Sequence, residues 1–261
     1  MAMNYESLPV RCSNVVEKHI CYEGWHYFLD QDEARLKKIL EDENNDICLK
    51  LYKTALLVQG RNYILDSDME SILINLKNLG TEVPCSHGCS ACCEQAIVAT
   101  PFESFLISIY LVQNQLRYEK FIENYGVWLT DTQSYRHAYM DWAQKLYTTG
   151  NDDGRFKNDD FTAKCPFLVE HSCLIYPVRP YCCRSYIALS RQCSHPEGTS
   201  KRPGFGGMDA GSHSGFNRAS KGMNKLLWKY FGIDEKQTRL QLMPQLVCKV
   251  LTEDFEGMFV F

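Results

Sequence analysis

Thirteen cysteines stand in a chain of 261 residues, and nine of them fall into two short stretches. The first reads Cys85-Ser-His-Gly-Cys89-Ser-Ala-Cys92-Cys93. The second spans Cys165, Cys173, Cys182, Cys183 and Cys193. Gaps of three and two residues let one tight turn gather several thiolates around a single ion or cluster, and Gly88 gives the backbone freedom beside the second thiol. Thiolates are soft ligands that suit zinc, iron or an iron–sulfur cluster. Neighbouring side chains usually diverge, so Cys92 and Cys93 are expected to serve two sites, or one ligand and one packed or resolving thiol. Neither stretch closes a site comfortably alone; together they offer up to nine thiols.

Disulfides and unrelated buried cysteines are the competing readings. Thirteen is odd, so complete pairing within the chain is impossible. The first twenty residues show no continuous apolar stretch of the secretory kind. The expected compartment is therefore the reducing cytoplasm, where clustered cysteines more often mean metal or redox chemistry. Cys48 and Cys248 lie in apolar helical patterns and read as core, as do Trp25, Trp128, Trp142 and Trp228. Cys12 and Cys21 fall in loop-like sequence. His87, His171, His195 and His213 lie in or near the clusters as candidate ligands or supporting donors, with solvated loop histidines as the plainer reading. Arg179 and Arg184 flank the double cysteine, where positive charge favours thiolates.

The elements that must carry these residues read as helices. Leucines and isoleucines recur at helical spacing from Asp30 to Glu43. Ile47 to Gln59 forms a second helix, with Gly60 as its expected C-cap. Ser67 and Glu70 have the spacing of a capping box opening another, which Gly80 closes. Thr100-Pro101-Phe102-Glu103 is a strong helix start, and that helix is expected to run on past Asn114 and break near Gly126. One more covers Thr132 to Tyr147, and others lie around 216–231 and 234–255. Residues 150–160 and 196–215 read as loops, including the glycine-rich Gly204–Asp209; carboxylate pairs such as Asp152-Asp153 and Asp159-Asp160 read as solvated. The expected fold is mainly α, with a cysteine-rich metal centre built from two loop regions. Its parts are an N-terminal helical region (1–80), the cysteine cluster (81–200) and a C-terminal helical region (201–261), in one compact domain.

Composition removes other classes. Lys plus Arg number 28 against 32 Asp plus Glu, a net charge of −4, which leaves no basic footprint for nucleic acid. No apolar run reaches the 18 residues of a membrane span. At 45% hydrophobic and 23% charged residues the balance is that of an ordinary globular chain.

The order of small motifs resembles a known family. Cys-x₃-Cys-x₂-Cys-Cys, a helix opening in Thr-Pro-Phe-Glu, then Cys-Pro-Phe-Leu, Cys-Leu-Ile-Tyr, Arg-Pro-Tyr-Cys-Cys-Arg and a later Cys look like the YkgJ-type cysteine-cluster family, a zinc- or iron-chelating domain with eight characteristic cysteines. The resemblance covers about Cys85 to Cys193 and implies Cys85, Cys89, Cys92, Cys93, Cys165, Cys173, Cys183 and Cys193 as the metal set, leaving Cys182 as an extra. The first gap is three residues here, where many members have two. Flagellin lysine N-methylases carry a similar cluster and are linked to iron–sulfur-dependent methyl transfer from S-adenosylmethionine.

The leading reading is therefore a metal-binding protein holding zinc, iron or an iron–sulfur centre. The alternative is an enzyme with a four-iron four-sulfur cluster that modifies a protein or peptide substrate with S-adenosylmethionine. A radical version would use Cys85-x₃-Cys89-x₂-Cys92. It is disfavoured by Ala91, where an aromatic is usual, and by the lack of alternating strands and helices. A redox sensor built on Cys92-Cys93 or Cys182-Cys183 ranks last, because adjacent cysteines make strained disulfides.

Overall fold

The computed structural model describes residues 29–80, 89–150, 161, 163–184, 187–188, 205–206, 226, 230 and 241–252. Helix is the dominant element among them, as the periodicity predicts: α1 (Leu29–Glu41), α2 (Ile47–Asn78), α3 (Pro101–Val112), α4 (Gln115–Asp131), α5 (Gln133–Thr149), a single turn α6 (Tyr181–Arg184) and α7 (Met243–Thr252). Two small antiparallel pairs complete the described elements. β1 (Leu168–Val169) pairs with β2 (Ser172–Cys173), and β3 (Ile187–Ala188) pairs with β4 (Phe205–Gly206). The glycine-rich run expected to be wholly loop therefore contributes Phe205 and Gly206 to a strand.

Helix α3 occupies the middle of the core. Ten of its twelve residues are buried, including Phe102, Phe105, Ile107 and Leu111. A helix apolar on every side must be covered on every side. α2 supplies Leu51, Ala55 and Val58, while α7 supplies Met243, Val247 and Leu251. The segment before α3 is joined to the start of α7 by Met243 N–H donating to the Ile97 carbonyl at 2.7 Å. Ser108 is buried; its hydroxyl donates to the Ser104 carbonyl at 2.8 Å, one turn back, which lets a polar side chain sit between α3 and α7.

The start of α3 is as expected. The Thr100 hydroxyl accepts from Glu103 N–H, the Glu103 carboxylate accepts from Thr100 N–H at 2.8 Å, and Pro101 takes the first turn. Three other helix boundaries differ from expectation. α2 does not stop at Gly60 and does not restart at Ser67; it runs unbroken for 32 residues. Beyond Gly60 the helix buries Asn62 and pairs Asp66 with Arg184, contacts that outweigh the roughly 1 kcal/mol that a helical glycine costs. Burial thus turns a local stop signal into a continuous element. The helix opened at Thr100 ends at Val112, because the Asn114 side chain accepts from Arg117 N–H at 3.0 Å and caps a new helix. α4 then passes straight through Gly126 and ends at Asp131. Thr132 marks the next junction, its hydroxyl donating to the Trp128 carbonyl at 2.6 Å and accepting from Arg136 Nε at 3.0 Å. Gly80 and Gly150 close α2 and α5 with positive φ, 76° and 66°, as helix-ending glycines do.

Trp128 and Cys248 are buried as predicted, whereas Trp142 and Cys48 are only partly so. Cys12, Cys21, Trp25, Trp228, the carboxylate pairs and His87, His195 and His213 lie outside the described residues. Among the described residues no helix is long and apolar enough to cross a membrane.

Gly126 is exposed in mid-helix, and a Cβ built on it meets nothing within 4 Å. Gly126→Ala is expected to stabilise the protein by about 0.5–1 kcal/mol through lost unfolded-state freedom. Denaturant midpoints of the two proteins check this.

Candidate metal centre

The cysteine-bearing segments have little regular structure, so their positions come from the helices around them. Cys92 and Cys93 sit in a 3₁₀ turn, Ala91–Glu94. Cys165 opens the Cys-Pro-Phe-Leu segment. Its backbone N–H donates to the Cys93 carbonyl at 2.7 Å, so the two cysteine stretches meet directly although 72 residues separate them. Phe167 is fully buried and stacks on Phe121 of α4 with ring centroids 4.6 Å apart. The Asn124 side-chain amide, also on α4, donates to the Pro166 carbonyl at 3.1 Å. A buried aromatic pair and one amide therefore moor Cys165 to α4.

Cys173 lies in β2, across from Leu168 of β1. The two residues joining these strands, Glu170 and His171, have φ of 46° and 65°. This is the left-handed pair that a two-residue hairpin requires, made here without glycine. The His171 ring nitrogen Nδ1 lies 3.3 Å from the Ser90 hydroxyl, linking the hairpin tip to the first cysteine stretch. Downstream, Ile175 and Val178 are buried and carry the chain to α6, which holds Cys182 and Cys183. Tyr181 N–H donates to the Glu103 carboxylate at 2.7 Å. Glu103 is itself buried, so the capping residue of α3 also holds the start of α6. Its capping role follows from sequence; its hold on Tyr181 is invisible there, because 78 residues separate the pair.

The far end of α6 is held by Arg184, which is 4% exposed. Its Nε donates to the Arg179 carbonyl at 2.7 Å, Nη2 donates to the Pro177 carbonyl at 2.5 Å, and Nη1 is paired with the carboxylate of Asp66 on α2. Gln59, two turns earlier on α2, donates to the same Pro177 carbonyl at 3.0 Å. Burial lowers the Arg184 pKa, and Asp66 opposes that shift. Sequence reasoning missed Asp66 and Gln59; neither has a local signal, since each partner is 118 residues away.

The thiols perturb one another. Cys92 and Cys93 do not point apart: their sulfurs share a hydrogen bond that brings the Cys92 thiol down to about 7, with Arg179 also lowering it, and pushes Cys93 up. Cys165 and Cys173 raise Cys93 further. Burial pushes Cys165 up to about 12, and the charges of Cys173 and Cys92 add to it. Cys183 is raised most of all by burial, then by Cys165, Cys182, Cys173 and Cys92. Cys173 is raised by burial, while Arg179 and Arg184 pull it back. Those two arginines thus favour thiolate as the sequence suggests. Burial likewise pushes Cys182 up to about 12, with the Glu103 carboxylate adding to it.

Of the eight cysteines expected as ligands, the structure brings five within reach of one another's charge: Cys92, Cys93, Cys165, Cys173 and Cys183. Cys89 is exposed at the edge. Cys85 and Cys193 lie outside the described residues. Among the described residues, no three His, Cys, Asp or Glu side chains are already arranged to hold a metal ion. The donor chemistry nevertheless fits a soft cation. Several half-buried thiols raise one another's pKa, which is the repulsion that a bound cation relieves.

Residues 84–202 match the model of the cysteine-cluster family described as "Putative zinc- or iron-chelating domain". No curated protein and no solved structure matches the chain. The likeness to flagellin lysine N-methylases therefore rests on the cysteine pattern alone.

Glu103 accepts from Thr100 N–H, the Thr100 hydroxyl and Tyr181 N–H. Glu103→Ala is expected to cost roughly 1–3 kcal/mol, because it leaves buried donors unpaired. Equilibrium denaturation measures the loss, and Glu103→Gln, which keeps an oxygen acceptor, should recover part of it.

Proposed function

We propose, from the premise that residues 84–202 carry a domain of the zinc- or iron-chelating cysteine-cluster family, that this protein holds a thiolate-ligated metal centre across its two cysteine stretches. The observation that supports this most strongly is the meeting of those stretches. The Cys165-to-Cys93 backbone bond and the mutual influence of Cys92, Cys93, Cys165, Cys173 and Cys183 gather soft donors from distant parts of the chain. Cys85, Cys89 and Cys193 complete the proposed set of eight. A bound metal would supply the positive charge that lets these half-buried sulfurs ionise.

The chain's own residues do the rest. α4 fixes Cys165 through Phe121 and Asn124, and Glu103 and Arg184 hold the two ends of α6 beside Cys183. Arg179 and Arg184 oppose the cost of gathering negative sulfur, because a guanidinium stays charged at any working pH.

Elemental analysis with a visible spectrum, on protein purified without oxygen, tests the proposal. Zinc with no visible band supports a chelating or structural centre. Iron with sulfide and a broad band near roughly 400 nm supports an iron–sulfur centre, and binding of S-adenosylmethionine is then the next measurement. Cys165→Ser and Cys173→Ser are each expected to lower metal content and thermal stability together, because ligand loss removes folding free energy. Unchanged stoichiometry in both variants would sink the two-stretch site. Adding the cognate metal to stripped protein should raise Tm, and a chelator should reverse the rise.

A further inference from the structure

The proposed donors need support that is stiff, because a metal site works only when its ligands stand within about 0.2 Å of their required distances. The stretch from Cys173 to Cys183 supplies little of that stiffness itself. After Cys173 it consists of Leu174 and Ile175, a one-turn 3₁₀ helix at Tyr176–Val178, Arg179 and Pro180, and the single turn α6. Besides Glu103, which holds Tyr181, its support comes from a face of α2 that lies outside the family match. Gln59, Asn62 and Asp66 follow one another at spacings of three and four, so they line one stripe of that helix. Gln59 and Asn62 are 5% and 2% exposed. Gln59 binds the Pro177 carbonyl, which Arg184 also binds. At the end of the stripe Asp66 meets both arginines, Arg184 through one carboxylate oxygen and Arg179 Nη2 at 3.8 Å through the other. Arg179 is in turn seated 4.2 Å over the ring of Tyr176. One carboxylate therefore ties residues on both sides of Cys182-Cys183 to a long helix.

We propose that Asp66 is a positioning residue for the metal centre: through Arg184 and Arg179 it sets where the segment from Cys173 to Cys183 presents its sulfurs. The inference rests on the chelation reading above. It places a determinant of metal affinity on α2, outside the segment that carries the cysteines.

The test uses the full chain, prepared without oxygen and loaded with zinc or cobalt(II). Zinc affinity is read by competition with a chromophoric chelator, the geometry around sulfur by the cobalt spectrum, and the fold by circular dichroism. Asp66→Asn is expected to keep the helical signal, to weaken zinc binding by tenfold or more, and to shift the cobalt bands. Asp66→Glu, which keeps the charge, should recover most of the affinity. A lower Tm with unchanged affinity and spectrum would make the contact merely structural and overturn the proposal. If Asp66→Asn does not fold, Asp66→Asn combined with Arg184→Gln removes both charges, so no buried guanidinium is left uncompensated. Because loss of the Arg184 charge alone weakens binding, the double variant is judged by geometry: shifted cobalt bands support the proposal, and wild-type bands overturn it. A wild type that takes up neither zinc nor cobalt overturns the chelation reading as well, which distinguishes the two failures.

Discussion

Arg184 carries a permanent positive charge into a place with 4% exposure. A guanidinium cannot shed its proton there, so every donor must find an acceptor. Three of its bonds go to the carbonyls of Arg179 and Pro177 and to the carboxylate of Asp66. Satisfying that one group fixes the path of residues 177–184 and fastens it to α2. Much else follows. Once this path is set, Tyr181 reaches Glu103 at the start of α3, and Cys183 comes within the field of Cys165 and Cys92. Breaking such a buried pair by removing one partner generally costs about 3–5 kcal/mol, whereas exchanging both for apolar groups can be nearly neutral. The arrangement is thus a device for placement more than for stability.

The cysteines impose the opposite demand. Burial and proximity both favour the neutral thiol, and they raise Cys165, Cys173 and Cys183. Cys92 is the exception, because the neighbouring Cys93 thiol donates to it and Arg179 adds positive charge. Neutral thiols can be gathered without repelling one another, and the proposed uptake of a soft cation would release their protons.

Local chemistry was readable along the chain; distant partnerships were not. The capping box at Thr100 and Glu103, the closing Gly80 and the buried Cys248 follow from short-range rules and stand in the structure. Gly60 misleads because its cost is small beside the core burial before it and the contacts of Asn62 and Asp66 after it. Asn114 was passed over because the apolar pattern continues beyond it, although its side chain starts a new helix. Among the site residues, the clustering and order of the cysteines were visible, as was the helpful charge of Arg179 and Arg184. Asp66, Gln59 and the second role of Glu103 were not, since nothing near them in sequence announces partners 118 and 78 residues away.

The central position of α3 has a consequence for how this molecule can be divided. α3 lies within residues 84–202, yet Leu51 and Val58 on one side and Val247 and Leu251 on the other lie beyond those limits. The stretch that matches the family and the core packed around α3 have different borders. A cysteine segment excised at its recognised borders would carry its sulfurs away but leave Phe102, Phe105 and Ile107 facing water. To transplant this centre into another scaffold, an engineer would have to bring, or rebuild, two walls that contain none of the eight proposed ligands.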